Sequence, residues 1–182
     1  MKKALVFIFI CVIGWKLFVY RHHVNLIPAP LGAWWIQYSA EKSFGFGPSG
    51  NEAGIIVFAM PEKTREEIEN NGISWLKSLP CAGRKRCFPN WEPTPVSTEV
   101  TWADKDRCSE FRADIHLILF KNGCPSVSGF LGHGGSSLDL DEEIEREINA
   151  AIFSKGAFYS ISRSRLLLII PEDNRIVFAY NG

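Results

Sequence analysis

Lys2 and Lys3 precede an apolar run from Ala4 to Tyr20, seventeen residues interrupted only by Lys16. Wound as an α-helix at about 1.5 Å per residue, this run covers roughly 26 Å, close to the ~30 Å hydrocarbon core of a bilayer. A helix that is apolar all round has to be sheltered from water, in lipid or in a protein core. Lys16 stands four residues before the end of the run. That is about 6 Å of helix rise, so its ammonium can reach the headgroups while its methylenes stay in lipid.

A removable signal peptide needs small residues just after the apolar core. Here Trp15 to His23 supplies none, and Ala29, Gly32 and Ala33 come late, interleaved with Pro28 and Pro30. Cys11 lacks the preceding small residues of a lipoprotein site. The preferred organisation is therefore an uncleaved signal-anchor over residues 1–23, a short linker over 24–36, and a folded domain over 37–182. A cleaved signal and a buried core helix are the alternatives. Orientation is divided: Lys2 and Lys3 favour the N-terminus inside, while Lys16 and Arg21 pull the other way.

The formal charge is zero, but it is unevenly placed. Four of the twenty basic residues lie in the first 23 and no acidic residue does, leaving sixteen against twenty, or −4, beyond. That balance argues against net attraction to nucleic acid or to anionic lipid. An apolar fraction of 46% with 22% charged residues describes a chain able to form an ordinary core.

Cys81, Cys87, Cys108 and Cys124 lie outside the anchor, and four cysteines permit three pairings. A Cys81–Cys87 bond would close a small loop, leaving Cys108 and Cys124 as the other pair. An even count behind an export signal suits an oxidising compartment. Four free thiols are the plainer alternative. A zinc site with His116 or His133 lacks close Cys-x-x-Cys spacing, and no metal or cofactor is expected.

Val24 to Ala33 contains Pro28 and Pro30 and reads as a semi-extended stalk. The adjacent Trp34 and Trp35 suit packing into the domain, or alternatively the membrane interface. Residues 44–51 form a glycine-rich loop without phosphate-binding spacing. Ile55–Met60 reads as a strand, followed by a helix from Pro61 that ends at Gly72 in a left-handed cap. Ile73–Leu79 is ambiguous between a strand and further helix, with strand preferred; Ser97–Trp102 and Asp114–Lys121 also read as strands. A loop over Gly129–Ser137 precedes an amphipathic helix that Asp139 can cap, with Ile144, Ile148, Ala151 and Ile152 on one face. Ala157–Ile161, Arg165–Ile170 and Arg175–Tyr180 are strands, the last two joined around Pro171–Asn174. The expected fold is α+β: a mainly antiparallel sheet with two helices packed on one face, preceded by a single transmembrane helix.

Candidate chemistry is sparse. Ser74 and Lys77 match a Ser-x-x-Lys element, but its companion Ser-Asp-Asn and Lys-Thr-Gly elements are missing. His133 and Ser136 lie in a glycine-rich stretch that suggests oxyanion donors, yet no Gly-x-Ser-x-Gly elbow accompanies it. Arg84, Lys85 and Arg86 form the densest cationic cluster and are the candidate contact for a carboxylate or phosphate on a partner. The functional expectation is a non-enzymatic envelope protein, held in the membrane, that binds another protein as an assembly component or inhibitor. An envelope hydrolase acting on cell-wall or lipid substrate is the alternative. A cytoplasm-facing domain on an inverted anchor is a third reading.

Overall fold

The computed structural model describes residues 2–43, 52–81, 86–103, 124–132 and 138–181. The apolar leader forms helix α1, Lys2–Val24. Its 23 residues span about 34 Å, and none of Phe7–Val24 is buried against the rest of the protein. Phe7, Phe9, Trp15 and Phe18 are each about two-thirds exposed. α1 is thus long and apolar enough to cross a membrane.

The body is a six-stranded, wholly antiparallel sheet. Its strands are β1 (Ile36–Ser43), β2 (Glu52–Ala59), β3 (Trp91–Pro93), β4 (Phe158–Ser162), β5 (Arg165–Ile170) and β6 (Arg175–Asn181). They lie side by side in the order β1-β2-β6-β5-β4-β3. The expected β5–β6 hairpin is present, with Asn174 taking the left-handed conformation that closes its turn (φ 52°). β1 and β3, which the sequence reading did not anticipate, form the two edges.

Further helices are α2 (Glu62–Ser78), α3 (Val127–Gly132) and α4 (Glu142–Phe153). α2 and α4 pack on opposite faces of the sheet, correcting the expectation of one helical face. Ile68 and Leu76 of α2 join Ile56, Phe58, Leu167, Ile169, Ile176 and Phe178. Ile148, Ala151 and Ile152 of α4 join Ile55, Val57, Leu166, Leu168, Val177 and Ala179, with Phe130 and Leu131 of α3. Alternate residues of β2, β5 and β6 therefore enter different cores. This explains why those strands read as unbroken apolar runs: strands buried on both faces have no polar side to show.

Local expectations fared unevenly. Gly72 has a positive φ (54°) as expected, but it interrupts α2 without ending it, and Ile73–Ser78 is a further helical stretch, not a strand. Ser97–Trp102 is a series of turns instead of a strand. The α4 N-cap is Asp141, not Asp139; its carboxylate accepts from the amides of Glu143 and Ile144 at 3.0 and 3.2 Å. Part of the expected loop over Gly129–Ser137 belongs to α3. The strand expected over Asp114–Lys121 and the glycine-rich residues 44–51 lie outside the described residues.

The stalk expected after α1 instead packs on the sheet. Ile27, Leu31 and Ala33 are buried in the α2-side core, and Thr64 Oγ1 donates to the Leu31 carbonyl at 2.8 Å. Burying Ile27 and Leu31 contributes about 1.5–3 kcal/mol each, which favours a docked segment over a swinging one.

Candidate interaction surface

Two junctions bind α1 to the domain. Arg86 donates through Nε to the Asn25 carbonyl (2.7 Å) and through Nη2 to Asn25 Oδ1 (2.9 Å). His23, in the last turn of α1, lies 3.3 Å from a Glu41 carboxylate oxygen. Tyr180 donates to the same Glu41 oxygen at 2.7 Å. Burial, then the Glu41 hydrogen bond, pushes the Tyr180 phenol far above its ordinary range, so it remains a donor. β1 is thereby tied to β6 across β2, and both to the end of α1.

Trp34 and Trp35 emerge at the other end of β1. The Trp35 carbonyl accepts from Ala59, the last residue of β2 (2.9 Å). Glu41, the His23 partner, sits opposite Gly54 near the start of β2. Ile36 to Glu41 is five residue steps, or about 17 Å of strand. The indoles stand in an edge-to-face pair, centroids 5.8 Å apart. They are 62% and 57% exposed, against the expectation that they pack inside.

The expected binding and catalytic residues are dispersed. Of the cationic cluster, Arg86 is described and holds Asn25, while Arg84 and Lys85 lie outside the described residues. The Cys81–Cys87 disulfide is formed and fits an oxidising compartment. Cys124 is also disulfide-bonded; Cys108 lies outside the described residues. Cys11, on α1, is a free thiol. Ser74 and Lys77 are both exposed on α2. His116, His133 and Ser136 lie outside the described residues. Among the described residues, no three His, Cys, Asp or Glu side chains gather as a metal site.

A cleft not foreseen from local motifs lies beside the β3–β4 edge. It has a volume of about 340 Å³ and is lined by Asn90, Glu92, Ser97, Glu99, Tyr159 and Ile161, among others. Tyr159 donates to Glu92 Oε2 at 2.5 Å. Burial, reinforced by Glu92, pushes its phenol up to about 12, so it stays protonated near neutrality. The lining can donate and accept hydrogen bonds. Its residues come from segments about sixty positions apart, which is why no local motif announced it.

No protein-family model, curated protein or solved structure matches this chain.

Proposed function

We propose that this chain is a single-pass, membrane-anchored envelope protein whose domain sits on the oxidising side and works by binding another protein. The carrying observation is the exposed Trp34–Trp35 pair, displaced along β1 from the point where α1 joins. Tryptophan is among the residues that concentrate binding energy at protein interfaces, and two adjacent exposed indoles hold a large apolar area ready for burial. The docked segment from Ile27 to Ala33 and the Arg86–Asn25 bonds hold that pair at a set position relative to α1. A partner in the same membrane would then meet the indoles at a defined place.

The test is photocrosslinking in intact cells. A photoreactive residue at position 34 or 35 is expected to give a discrete protein adduct, and one at exposed Glu66 is not. Adducts to lipid alone, or identical patterns at all three positions, would overturn the reading. A C-terminal alkaline phosphatase fusion tests the side of the membrane: activity supports the proposal, and silence with a working cytoplasmic reporter supports the inverted anchor.

The hydrolase alternative is favoured by one observation, the cleft in which Tyr159, Glu92 and Glu99 converge. On that reading, Glu99→Gln abolishes the chain's cellular effect while Trp34→Ala spares it; the binding reading requires the reverse.

A further inference from the structure

Register places one row of residues across four neighbouring strands. Glu41 pairs with Gly54, Gly54 with Tyr180, and Tyr180 with Arg165. At about 4.8 Å between strands, Arg165 stands roughly 14 Å from Glu41, and Glu41 touches His23 of α1. Traced backwards from Trp35, the chain passes from the far end of β1 to this row and enters α1 there. The row therefore marks the end of the sheet nearest the candidate membrane helix.

Positive charge gathers at this end. Arg21 lies in the last turn of α1, and Arg86 holds Asn25. The Arg165 guanidinium lies 5.6 Å from the centre of the Phe88 ring. Arg163 sits in the two-residue β4–β5 turn just past the row, exposed, at a positive φ (58°). Among the described residues it has no ion-pair partner. Among the described residues, the acidic groups here are Glu41, engaged by Tyr180 and His23, and Glu52 at the start of β2. This local excess of cations among the described residues runs against the acidic balance of the domain, three of whose carboxylates, Glu142, Glu143 and Glu145, crowd the first turn of α4.

We propose that the β4–β5 turn, through Arg163 with Arg165 behind it, is a second membrane contact that seats on anionic phospholipid headgroups of the leaflet from which α1 emerges. This rests on the membrane-anchored reading. The bilayer is the chosen source of phosphate because α1 brings this end of the sheet to it. Burial, then the neighbouring Arg163 charge, disfavours the charged form of Arg165. A headgroup phosphate beside Arg163 offsets the charge that crowds Arg165. The seat gives the domain one orientation over the membrane, with the tryptophan pair turned away.

The test uses the full chain in nanodiscs of phosphatidylcholine alone or with phosphatidylglycerol, read by amide hydrogen exchange over residues 162–165. Anionic discs are expected to slow exchange about fivefold, the effect of one arginine at an anionic surface. High salt should erase the protection, as should Arg163→Gln, while Arg163→Lys should retain it. Equal exchange in both discs, or protection that survives Arg163→Gln, overturns the proposal. Inorganic phosphate giving the same protection in phosphatidylcholine discs overturns the bilayer as its source. Failure of the chain to enter discs at all defeats the anchor reading instead, so the two failures are distinguishable.

Discussion

Gly54 lies opposite Tyr180 in the β2–β6 pairing, and the tyrosine ring occupies the space that a Cβ on Gly54 would fill, with ring atoms only 2.6 Å from that position. A glycine inside a strand usually weakens it. Here it lets the phenol cross β2 and reach Glu41 on the far side. The sheet and the end of α1 are joined through that gap.

Gly54→Ala is therefore expected to be costly. The added methyl must displace a ring that is hydrogen-bonded and packed against Phe178, 5.7 Å between centroids. Overpacking of this kind costs about 1–3 kcal/mol. Chemical denaturation of the variant should show that loss, and Gly54→Ala combined with Tyr180→Ala should recover part of it. An unaltered midpoint for Gly54→Ala would show that the ring yields freely.

Helix α4 offers a sharper test of capping. Asp141→Ala removes the acceptor for two first-turn amides and should cost about 1 kcal/mol. Asp139→Ala, outside the cap, should stay within about 0.5 kcal/mol. The two denaturation midpoints are to be compared in one buffer.

Ser160 carries a hydroxyl that is buried and has no hydrogen-bond partner among the described residues, opposite Trp91 on the β3 edge. A buried polar atom left unsatisfied costs about 1–3 kcal/mol. Ser160→Ala is accordingly expected to leave stability unchanged or raise it by about 1 kcal/mol, read as an increase in melting temperature. A clear loss would reveal a partner for the hydroxyl.

Alkaline pH should destabilise the cleft. The Tyr159 phenol is raised in the folded state, to about 12, from an unfolded value near ~10. Its contribution is fully present below the unfolded value and is lost as pH rises through the folded one, because only the unfolded chain gives up the proton in between. Urea midpoints should fall from pH 10 towards pH 12 more steeply in the parent than in Tyr159→Phe. Parallel curves would remove Tyr159 as the cause.

Reduction should loosen the junction between α1 and the domain. The Cys81–Cys87 bond closes a short loop, with a sequence separation of 6, for which chain entropy gives about 2 kcal/mol. Arg86 lies within that loop and holds Asn25. Cys81→Ser with Cys87→Ser should lower stability by that amount and speed amide exchange around Asn25. Without reduction, Cys81, Cys87 and Cys124 should resist alkylation.

Strands β2, β4, β5 and β6 were legible because their apolar runs end at clear turn residues, Pro61, Gly156 and Pro171–Asn174. Edge strand β1 was missed because polar Gln37, Ser39 and Glu41 interleave its few apolar residues, of which only Ile36 and Tyr38 are large. α2 was read too short because glycine punctuates a chain without saying whether helix resumes beyond it. The surface features were harder still: exposure of Trp34 and Trp35 depends on which neighbours reach them, and the cleft joins segments far apart in the chain.

Composition and local pattern determined the apolar leader, the antiparallel α+β class and the possibility of a short disulfide loop, since each follows from neighbouring residues. Tertiary structure decided which face each helix covers, that the proline segment docks instead of swinging, and where the indoles and arginines emerge. Those outcomes depend on burial and cross-strand register, which relate residues across separate strands and helices.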